Sequence, residues 1–593
     1  MADFDTDVLV VGSGPAGSAA SLLLATYGVR VTCISKFGWT CRTPRAHITN
    51  QRTMEVLRDA GVEADAMQHA VHQNLLGNNV FCESLAGEEL GRLHSWGNHP
   101  RRMADYTLAS PSMIVDIPQN YMEPVLITNA AKRGATVRFD TEFLSLEQND
   151  EGVTATVRDH ARGDEYTIRA RYLVGADGGN SAVAKAIDLE SEGQMGVAGS
   201  MNIVFEADLS SYVAHRPSVL YWVLQPGAEV GGIGMGLVRM VRPWNEWLIV
   251  WGYDINEPPP EVTEEMARGV VHQLVGDDRI PVKIKSTSVW TVNNWYATQN
   301  TRGRVFCAGD ATHRHPPSNG LGSNTSIQDS FNLAWKLAAV VKGEAHESLL
   351  ETYQQERAPV AKQIVTRANQ SIGEFGPIFE ALGMTGGVDA ATARANMERR
   401  KEPGEEGERI RTALREAIAF KQYEFNAHGV EMNQRYEGQA VVPDGTPEPD
   451  FAQDRELYYA PTTWPGARLP HVWLVEEGED DLVSTLDIVG QGRFTVLTGI
   501  NGRKWAEAAE RVGRSLGIEL AAHVIGPGER YFDTFGEWAT IREIAEDGCL
   551  LVRPDQHVAW RSMAMGADCE RELTDALLSV LGRSRPAMAE AAE

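Results

Sequence analysis

The first apolar stretch of the chain is interrupted by glycines in an order that predicts a strand, a tight turn and a helix. Residues 7–11 predict the strand, the helix is expected from Pro15 to about Tyr27, and residues 29–35 predict a second strand. This uncharged run differs from a membrane span or a signal peptide, because acidic residues precede it and glycines break it. We therefore expect a βαβ unit of a parallel sheet.

Later apolar patterns predict three further kinds of structure. Residues 171–175 and 304–308 are short apolar runs typical of the middle of a parallel sheet, so both are expected to join the first unit. Between about 190 and 290, longer strand patterns separated by turns, for example at 201–207, 219–224, 232–240 and 247–253, predict an inserted antiparallel sheet. Charged helical patterns from about 375 to 455 favour a solvated connecting layer.

The last part of the chain has the order strand, helix, strand, hairpin and helix. Strands are predicted at 494–498 and 520–525, the helix between them at about 504–516, and the hairpin at 549–561. This order resembles a thioredoxin-like domain, but Cys549 has no second cysteine at the Cys-x-x-Cys spacing. We therefore expect a structural or oligomer-forming role.

The charge and the cysteine content of the chain argue against several classes of function. The 593 residues include 55 Lys and Arg against 81 Asp and Glu, and the net charge of -26 argues against nucleic acid or an anionic membrane as a partner. The 6 cysteines lack metal-ligand or redox spacing, which predicts reduced thiols in a cytoplasmic protein. A chain of this length can bury a large cofactor.

The turn after the first strand has the sequence GSGPAG, a G-x-G-x-x-G motif that opens a helix. Here glycines let the backbone approach a pyrophosphate, and the helix N-terminus attracts its negative charge. A glycine-rich turn without a ligand is the alternative. The second strand runs into Lys36, where dinucleotide-binding proteins usually carry an acid for the ribose. The motif residues expected to contact the cofactor are Gly12, Ser13, Gly14, Ala16 and Gly17.

Two further glycine-rich segments follow the later buried strands. The first, GADGGNS, contains Asp177, and the second, GRVFCAGDA, contains Asp310, whose carboxylate can accept hydrogen bonds from a sugar or ribityl hydroxyl. Each segment alone is compatible with ordinary turn chemistry. Three such segments in this order favour one dinucleotide cofactor held where they converge.

With these motifs the chain resembles the group A FAD-dependent aromatic hydroxylases, and specifically their phenol hydroxylase branch. The resemblance spans roughly residues 1–370 and extends to the dithiol-free C-terminal part. Residues 42–61, RTPRAHITNQRTMEVLRDAG, are most similar to the 2,4-dichlorophenol 6-monooxygenase and 2-hydroxybiphenyl 3-monooxygenase subgroup. That subgroup also tends to lack the acid near Lys36.

The resemblance implies a mixed α/β and α+β fold. A Rossmann-like FAD-binding domain with the p-hydroxybenzoate-hydroxylase-like fold is expected from residues 1–188 and 290–375. The antiparallel substrate domain is expected at 189–289, the helical connecting region at 376–455, and the thioredoxin-like domain at 456–593.

The implied reaction is hydroxylation of a phenol, ortho to its hydroxyl group, to give a catechol. FAD is the expected bound cofactor, and NADPH or NADH is expected to visit transiently, with O₂ as co-substrate. The attacking species would be a C4a-hydroperoxyflavin. The segment around Asp177 is expected to serve FAD and the reductant jointly, and a homodimer is expected.

The segment HPPSNGLGSN, residues 315–324, leads into a long helix predicted at about 325–341. Amides of Ser323 and Asn324, with Gly322 before them, are expected to stabilise negative charge on the reduced flavin. By resemblance, Pro317 would line the substrate side of the ring. A proline-glycine loop that merely caps a helix is the alternative.

His47 is the predicted catalytic base. A phenol that loses its proton is more reactive at the ortho carbon, and an imidazole titrates in the right pH range. The subgroup carries a histidine at this position beside the flavin, whereas a neutral buried histidine is the alternative interpretation. Lys36, Arg45 and Gln119 are also expected to contact the cofactor, with ordering of the loop as the alternative for Arg45.

Arg239 lies on an apolar strand of the inserted sheet and is predicted to take part in catalysis. It would face the cavity and the flavin or reductant, with a salt bridge at the rim as the alternative. Trp222 and Met235, on neighbouring strands, are predicted to contact the aromatic substrate together with His47 and Pro317.

Two other functions are compatible with a GxGxxG domain. A flavin-dependent halogenase is disfavoured, because no two tryptophans here are separated by a single residue. A non-catalytic flavin-binding sensor would not oxidise a nicotinamide cofactor in response to a phenol.

Overall fold

The computed structural model describes residues 4–226, 235–385 and 387–584. Its first sheet is assembled around parallel strands from distant parts of the chain, as the apolar patterns predict. The strands on its main path are, in spatial order, Thr301–Arg302, Val305–Cys307, Glu165–Gly175, Thr6–Val11, Val31–Ile34 and Thr136–Arg138. An antiparallel hairpin, Thr141–Gln148 and Val153–Asp159, pairs with the first half of Glu165–Gly175.

The helix after the glycine motif, Pro15–Thr26, is short of charge because it is buried on nearly every side. It packs between Gln119–Lys132 and Gly322–Val341, and the hydroxyl of Ser330 donates to the carbonyl of Ala16 at 2.7 Å. Small and apolar residues therefore fill its whole circumference. Of the helices that the structure describes, none is both long and apolar enough to cross a lipid bilayer.

The second sheet has eight strands, and most neighbouring pairs are antiparallel. Its spatial order is His313–Arg314, Lys283–Ala297, Ser191–Glu206, Glu246–Tyr253, Gly236–Arg242, Leu220–Val223, Asn78–Cys82 and Glu89–His94. The last two strands precede the range in which this sheet was predicted, and Leu220–Val223 pairs in parallel with Asn78–Cys82. The predicted strand at 232–240 is found from Gly236, and its residues 232–234 lie outside the described residues.

Seven further α-helices of the described structure lie between residues 264 and 432, and most of them contact the second sheet or its core. They are Glu264–Val275, Glu351–Gly373, Gly376–Ala381, Ala390–Glu398, Glu405–Phe420, Gln422–Phe425 and His428–Met432. The predicted helices between 376 and 455 are thus present up to Met432, and residues 433–455 form no helix. This region is more than a solvated layer, because Phe425 and Leu414 are buried in the core beneath the sheet.

Shorter elements complete the part before residue 220. The helices are Gln51–Asp59, Glu63–Met67, Met103–Ala109, Ala182–Ala186 and Ser210–Val213. Ile48–Thr49 and Val115–Asp116 form a separate antiparallel pair. This two-stranded sheet positions His47, the predicted base, next to Asp116.

The C-terminal unit has the predicted element order. Its strands are Trp473–Glu476, Leu482–Ser484, Phe494–Gly499, Leu520–Ile525, Tyr531–Phe532, Cys549–Val552 and Val558–Ser562, and its helices are Arg503–Leu516, Glu537–Ile541 and Cys569–Val580. Phe494–Gly499 runs parallel to Leu520–Ile525 and antiparallel to Cys549–Val552. All six cysteines are free thiols in the described structure.

Candidate active site

The three glycine-rich segments meet at the carboxyl ends of the parallel strands. Ala16, Ala176 and Ala308, one from each segment, pack together in a small apolar cluster. The amide of Ala176 donates to the carbonyl of Val11 at 2.8 Å, and the amide of Ala308 donates to the carbonyl of Gly175 at 3.0 Å. The predicted convergence of these loops is therefore present.

The first glycine loop leaves room for a ligand at the N-terminus of Pro15–Thr26. Gly12 has φ +106°, and a Cβ placed on it would overlap the carbonyl oxygen of Ala176. Gly14 precedes the helix without a side-chain cap, and the first turn contains no acid. Uncapped amides at a helix N-terminus bind phosphate groups, so this loop fits the FAD pyrophosphate.

The other predicted cofactor residues of this region lie around the same loop. Lys36 and Arg45 are exposed. The side-chain amide of Gln119 donates to Oε1 of Glu123 at 2.6 Å, and the amide of Cys41 donates to Oε2 at 2.6 Å. Burial raises the pKa of Glu123, and this effect is larger than that of the two hydrogen bonds, which lower the pKa. Glu123 was not predicted from the sequence, because it lies on a neighbouring helix rather than at the end of the second strand.

Asp177 caps the short helix that follows it. Its carboxylate accepts hydrogen bonds from the hydroxyl of Ser181 at 2.5 Å and from the amides of Ala182 at 2.7 Å and Val183 at 3.2 Å. These contacts fix the GADGGNS turn against Gly12. A contact between Asp177 and a cofactor stays a prediction.

Asp310 is exposed, and its carboxylate accepts no hydrogen bond from the part of the chain that the structure describes. The buried Asp329 holds this turn in place, because its Oδ2 accepts from the amide of Gly309 at 3.1 Å and pairs with Nε2 of His313 at 2.9 Å. Its Oδ1 accepts from Nε of Arg357 at 2.7 Å. Asp329 was missed by the sequence analysis because it lies inside a helix, nineteen residues past Asp310.

The long helix begins three residues earlier than predicted, at Gly322. The amides of Gly322, Ser323 and Asn324 donate to no acceptor among the described residues, so this N-terminus is open to an anionic group. The Asn324 side chain is already engaged: it accepts from the amide of Asn50 at 3.0 Å and donates to the carbonyl of Ile48 at 2.8 Å.

His47 is paired with a buried carboxylate. Its Nδ1 lies 2.6 Å from Oδ2 of Asp116, across the two-stranded sheet in which Ile48 faces Asp116. Its Nε2 makes no hydrogen bond with any residue that the structure describes. Burial lowers the pKa of His47, and Arg239 lowers it further, whereas Asp116 raises it. Because a carboxylate only accepts, Nδ1 carries the hydrogen and Nε2 keeps a lone pair.

Arg239 is a buried cation without a carboxylate partner in the described residues. Its Nη1 donates to the carbonyls of Pro44 and Arg45, close to His47 along the chain, while Nε and Nη2 have no partner. The alternative of a rim salt bridge is therefore wrong. Burial lowers the pKa of Arg239 to about 10, so the guanidinium stays charged at neutral pH.

Trp222 lies on the same sheet face as Arg239. Leu220 pairs with Arg239 and Trp222 pairs with Leu237, and alternate residues of a strand share a face. The indole of Trp222 donates to Oδ1 of Asn79 at 3.0 Å.

The Trp222 ring also contacts two aromatic side chains that the sequence analysis did not identify. Its centroid lies 4.7 Å from that of Phe375 and 6.1 Å from that of Phe425. Met235 belongs to the same core cluster. Pro317 is exposed at the start of the turn Ser318–Gly320.

Comparison with protein-family models decides the family. The FAD binding domain model matches residues 5–368, and the model for the C-terminal domain of aromatic-ring hydroxylases matches residues 462–584. The chain belongs to the FAD-dependent aromatic-ring hydroxylases. This hydroxylase combines both domains in the predicted order.

Similar proteins support the same assignment. 2,4-Dichlorophenol 6-monooxygenase of Delftia acidovorans is 58% identical over 577 residues, which cover 97% of this chain and 98% of the relative. Phenol 2-monooxygenase of Pseudomonas sp. (strain EST1001) is 52% identical over 589 residues, covering 98% and 94%. The crystal structure of the flavin-dependent monooxygenase PieE with FAD and substrate has a TM-score of 0.92 and 42% identity, covering 98% and 100%. The predicted class, an FAD-dependent aromatic monooxygenase, is confirmed.

Proposed function

We propose that this hydroxylase converts a phenol to a catechol by adding oxygen ortho to the hydroxyl group, with NADPH or NADH as reductant. The balanced reaction consumes phenol, NAD(P)H, a proton and O₂, and yields catechol, NAD(P)⁺ and water. The observation that carries the proposal is the pairing of His47 with the buried Asp116, because Nε2 of His47 has no partner among the described residues and can accept a phenolic proton. Relatives named for phenol and 2,4-dichlorophenol support this substrate class.

Each group of this pair has a defined task in the proposal. Nδ1 of His47 donates to Asp116, so Nε2 is the nitrogen that takes the proton. The charge of Arg239 favours the phenolate over the phenol and keeps the resting imidazole neutral, whereas Asp116 stabilises the imidazolium that forms when Nε2 takes the proton. A ring made more electron-rich in this way reacts faster with an electrophilic oxygen.

The residues present fit FAD. When bound, FAD accepts hydride from the nicotinamide cofactor and activates O₂ for transfer to the ring. In our proposal the glycine loop and helix Pro15–Thr26 bind its pyrophosphate, and Asp310, which lacks a partner for its carboxylate among the described residues, accepts from a cofactor hydroxyl. The open amides at Gly322, Ser323 and Asn324 accommodate negative charge on the reduced ring. The remaining proposed cofactor contacts are Ser13, Ala16, Lys36, Arg45, Gln119, Asp177 and Pro317.

The substrate ring, in this proposal, lies between His47 and the sheet face that carries Trp222 and Met235, with Pro317 on the flavin side. Aromatic side chains at such positions bind a flat ring by stacking and edge contacts. We also propose that the protein is a cytoplasmic homodimer and that its C-terminal unit is a thioredoxin-like domain without redox activity. The predicted ranges for the four domains, given above, belong to the same proposal.

The test is turnover by the purified, FAD-loaded enzyme with phenol or 2,4-dichlorophenol. We expect reductant oxidation that depends on the phenol and an equivalent yield of catechol. A chlorinated product in the presence of chloride would support a halogenase instead, and reductant oxidation that no phenol stimulates would support a sensor.

His47→Ala tests the base within the same assay. It is expected to retain FAD but to lose hydroxylation by at least about a hundredfold. His160→Ala is the matched control, because His160 also pairs with a carboxylate, Glu142 at 3.1 Å, but on the surface. Equal product formation by His47→Ala and wild type would remove the base from the proposal.

A further inference from the structure

Asn319 is the central residue of the turn Ser318–Gly320, and this turn directly follows Pro317. It is buried, and its φ of +64° is in the left-handed region that few residues other than glycine and asparagine adopt. A buried amide in a strained turn requires partners for its polar atoms.

The Asn319 side chain ties this turn to two other segments. Its Nδ2 donates to the carbonyl of Tyr423 at 2.7 Å and to that of Glu424 at 3.2 Å. Its Oδ1 accepts from the hydroxyl of Ser371 at 2.8 Å. Two carbonyls on one side and a hydroxyl on the other set the orientation of the amide. The nearest of these segments in sequence is more than fifty residues away.

The two segments bonded to Asn319 lead to an aromatic wall, which we define as Trp222, Phe375 and Phe425. Phe425 follows Glu424 directly, and its ring lies 6.1 Å from that of Trp222. Phe375 lies four residues past Ser371, and its ring is 4.7 Å from that of Trp222. Both anchoring segments of Asn319 therefore lead into this wall.

A buried lysine reinforces the same connection. Nζ of Lys421 donates to the carbonyl of Ser371 at 2.6 Å and lies 3.7 Å from the centroid of the Phe375 ring. Lys421 also forms an ion pair with Glu424. The segments that carry Phe375 and Phe425 are thus joined at Ser371, whose hydroxyl also donates to Asn319.

We propose that Asn319 is a specificity-determining positioning residue that holds the aromatic wall at a fixed separation from the Pro317–Gly320 turn. This inference rests on the proposed function, in which the phenol lies against the sheet face that carries Trp222 and has Pro317 on its flavin side. A fixed separation favours a flat, single-ring phenol and keeps it in place during oxygen transfer. A bulkier aromatic substrate requires the wall to move.

The test variant is Asn319→Gly, since glycine adopts the same φ without strain while losing all three hydrogen bonds. Asn433→Gly is the matched control: Asn433 donates to the carbonyls of Arg455 at 3.1 Å and Tyr458 at 2.8 Å and accepts from the amide of Ala460 at 2.9 Å. Ser371→Ala is a milder second variant, which removes one donor to Asn319.

The measurements are KM, kcat and the fraction of oxidised reductant recovered as catechol rather than hydrogen peroxide, for phenol, 2,4-dichlorophenol and 2-hydroxybiphenyl. Asn319→Gly is expected to raise KM for the single-ring phenols by about tenfold and to divert most of the reductant to peroxide. The preference for phenol over 2-hydroxybiphenyl should fall. Ser371→Ala should change the same quantities in the same direction, and Asn433→Gly should leave them unchanged.

Two results would overturn the inference. One is unchanged coupling and substrate preference in both Asn319→Gly and Ser371→Ala, and the other is an equal change in Asn433→Gly. If Asn319→Gly does not retain FAD, Ser371→Ala decides. The proposed function is tested separately, by whether the wild type forms catechol at all, because the inference depends only on ratios between variant and wild type.

Discussion

Nδ1 of His47 lies 2.6 Å from Oδ2 of the fully buried Asp116. Burial and Arg239 lower the pKa of His47, whereas Asp116 raises it. Asp116→Asn should therefore lower this pKa further, and the acidic limb of the kcat profile should move to lower pH. The amide can also stabilise the opposite tautomer, so kcat should fall about tenfold to a hundredfold. Glu142→Gln, at the surface pair with His160, is the control, and an acidic limb at unchanged pH would contradict the assignment.

Arg239→Met is expected to shift the acidic limb of the kcat profile to higher pH, opposite to Asp116→Asn. Removing the cation takes away an influence that lowers the pKa of His47, so the limb should move to higher pH. Arg239 is buried without a carboxylate partner among the described residues, so its loss should leave thermal stability equal or higher while kcat/KM falls. A variant with a clearly lower Tm would instead indicate a structural role.

Gly12→Ala tests the cofactor loop. Alanine at φ +106° is strained, and its Cβ would overlap the carbonyl of Ala176, so FAD affinity should fall at least about tenfold. Gly134→Ala is the matched control, because Gly134 has φ +98° and no neighbouring atom within 4 Å. Flavin release on dilution, measured by fluorescence, distinguishes the two variants. Equal flavin affinity in Gly12→Ala and Gly134→Ala would contradict a role for the Gly12 loop in binding FAD.

Glu431 predicts a pH dependence of stability. It is buried, its Oε2 has no partner within the described residues, and burial raises its pKa to about 8. The unfolded chain loses this proton near the ordinary value and the folded chain only near pH 8, so stability should decline across that interval. Glu431→Gln should remove this decline, which is on the order of 4 kcal/mol. Denaturant unfolding at pH 5.5 and pH 8.5 measures it, and parallel losses in both proteins would refute it.

Glu356 joins the first part of the chain to the C-terminal unit. Its carboxylate accepts from both Arg553 nitrogens, at 2.6 and 2.8 Å, and from Lys336 at 2.7 Å. Burial opposes its ionisation, but Arg553 and Lys336 outweigh burial and lower the pKa of Glu356 to about 2. Glu356→Ala should cost about 3–5 kcal/mol of unfolding free energy, because the buried Lys336 loses its carboxylate partner and the buried Arg553 keeps only Asp555. Glu406→Ala, at an exposed pair with Arg409, is the control and should leave the unfolding free energy nearly unchanged.

Local patterns predicted those parts of the molecule whose partners are close in sequence. The strand, glycine turn and helix up to Thr26 are an example, because periodicity and backbone freedom both act within a few residues. His47 was found by resemblance, but its partner Asp116, 69 residues away, was not. The Asn79–Trp222 contact spans 143 residues and the Asn319–Tyr423 contact 104, and neither leaves a local signal. Arg239 was identified because a charge on an apolar strand is locally unusual.

The parallel pairing of Leu220–Val223 with Asn78–Cys82 matters for recombining this protein with its relatives. A chimera that exchanges residues 189–289 alone would take Trp222 from one parent and Asn79 from the other. Two strands that pair within one sheet would then come from different proteins. A chimera that also exchanges residues 78–94 keeps both strands of this pair from the same parent. Libraries designed to alter ring preference should therefore exchange the two segments as one block.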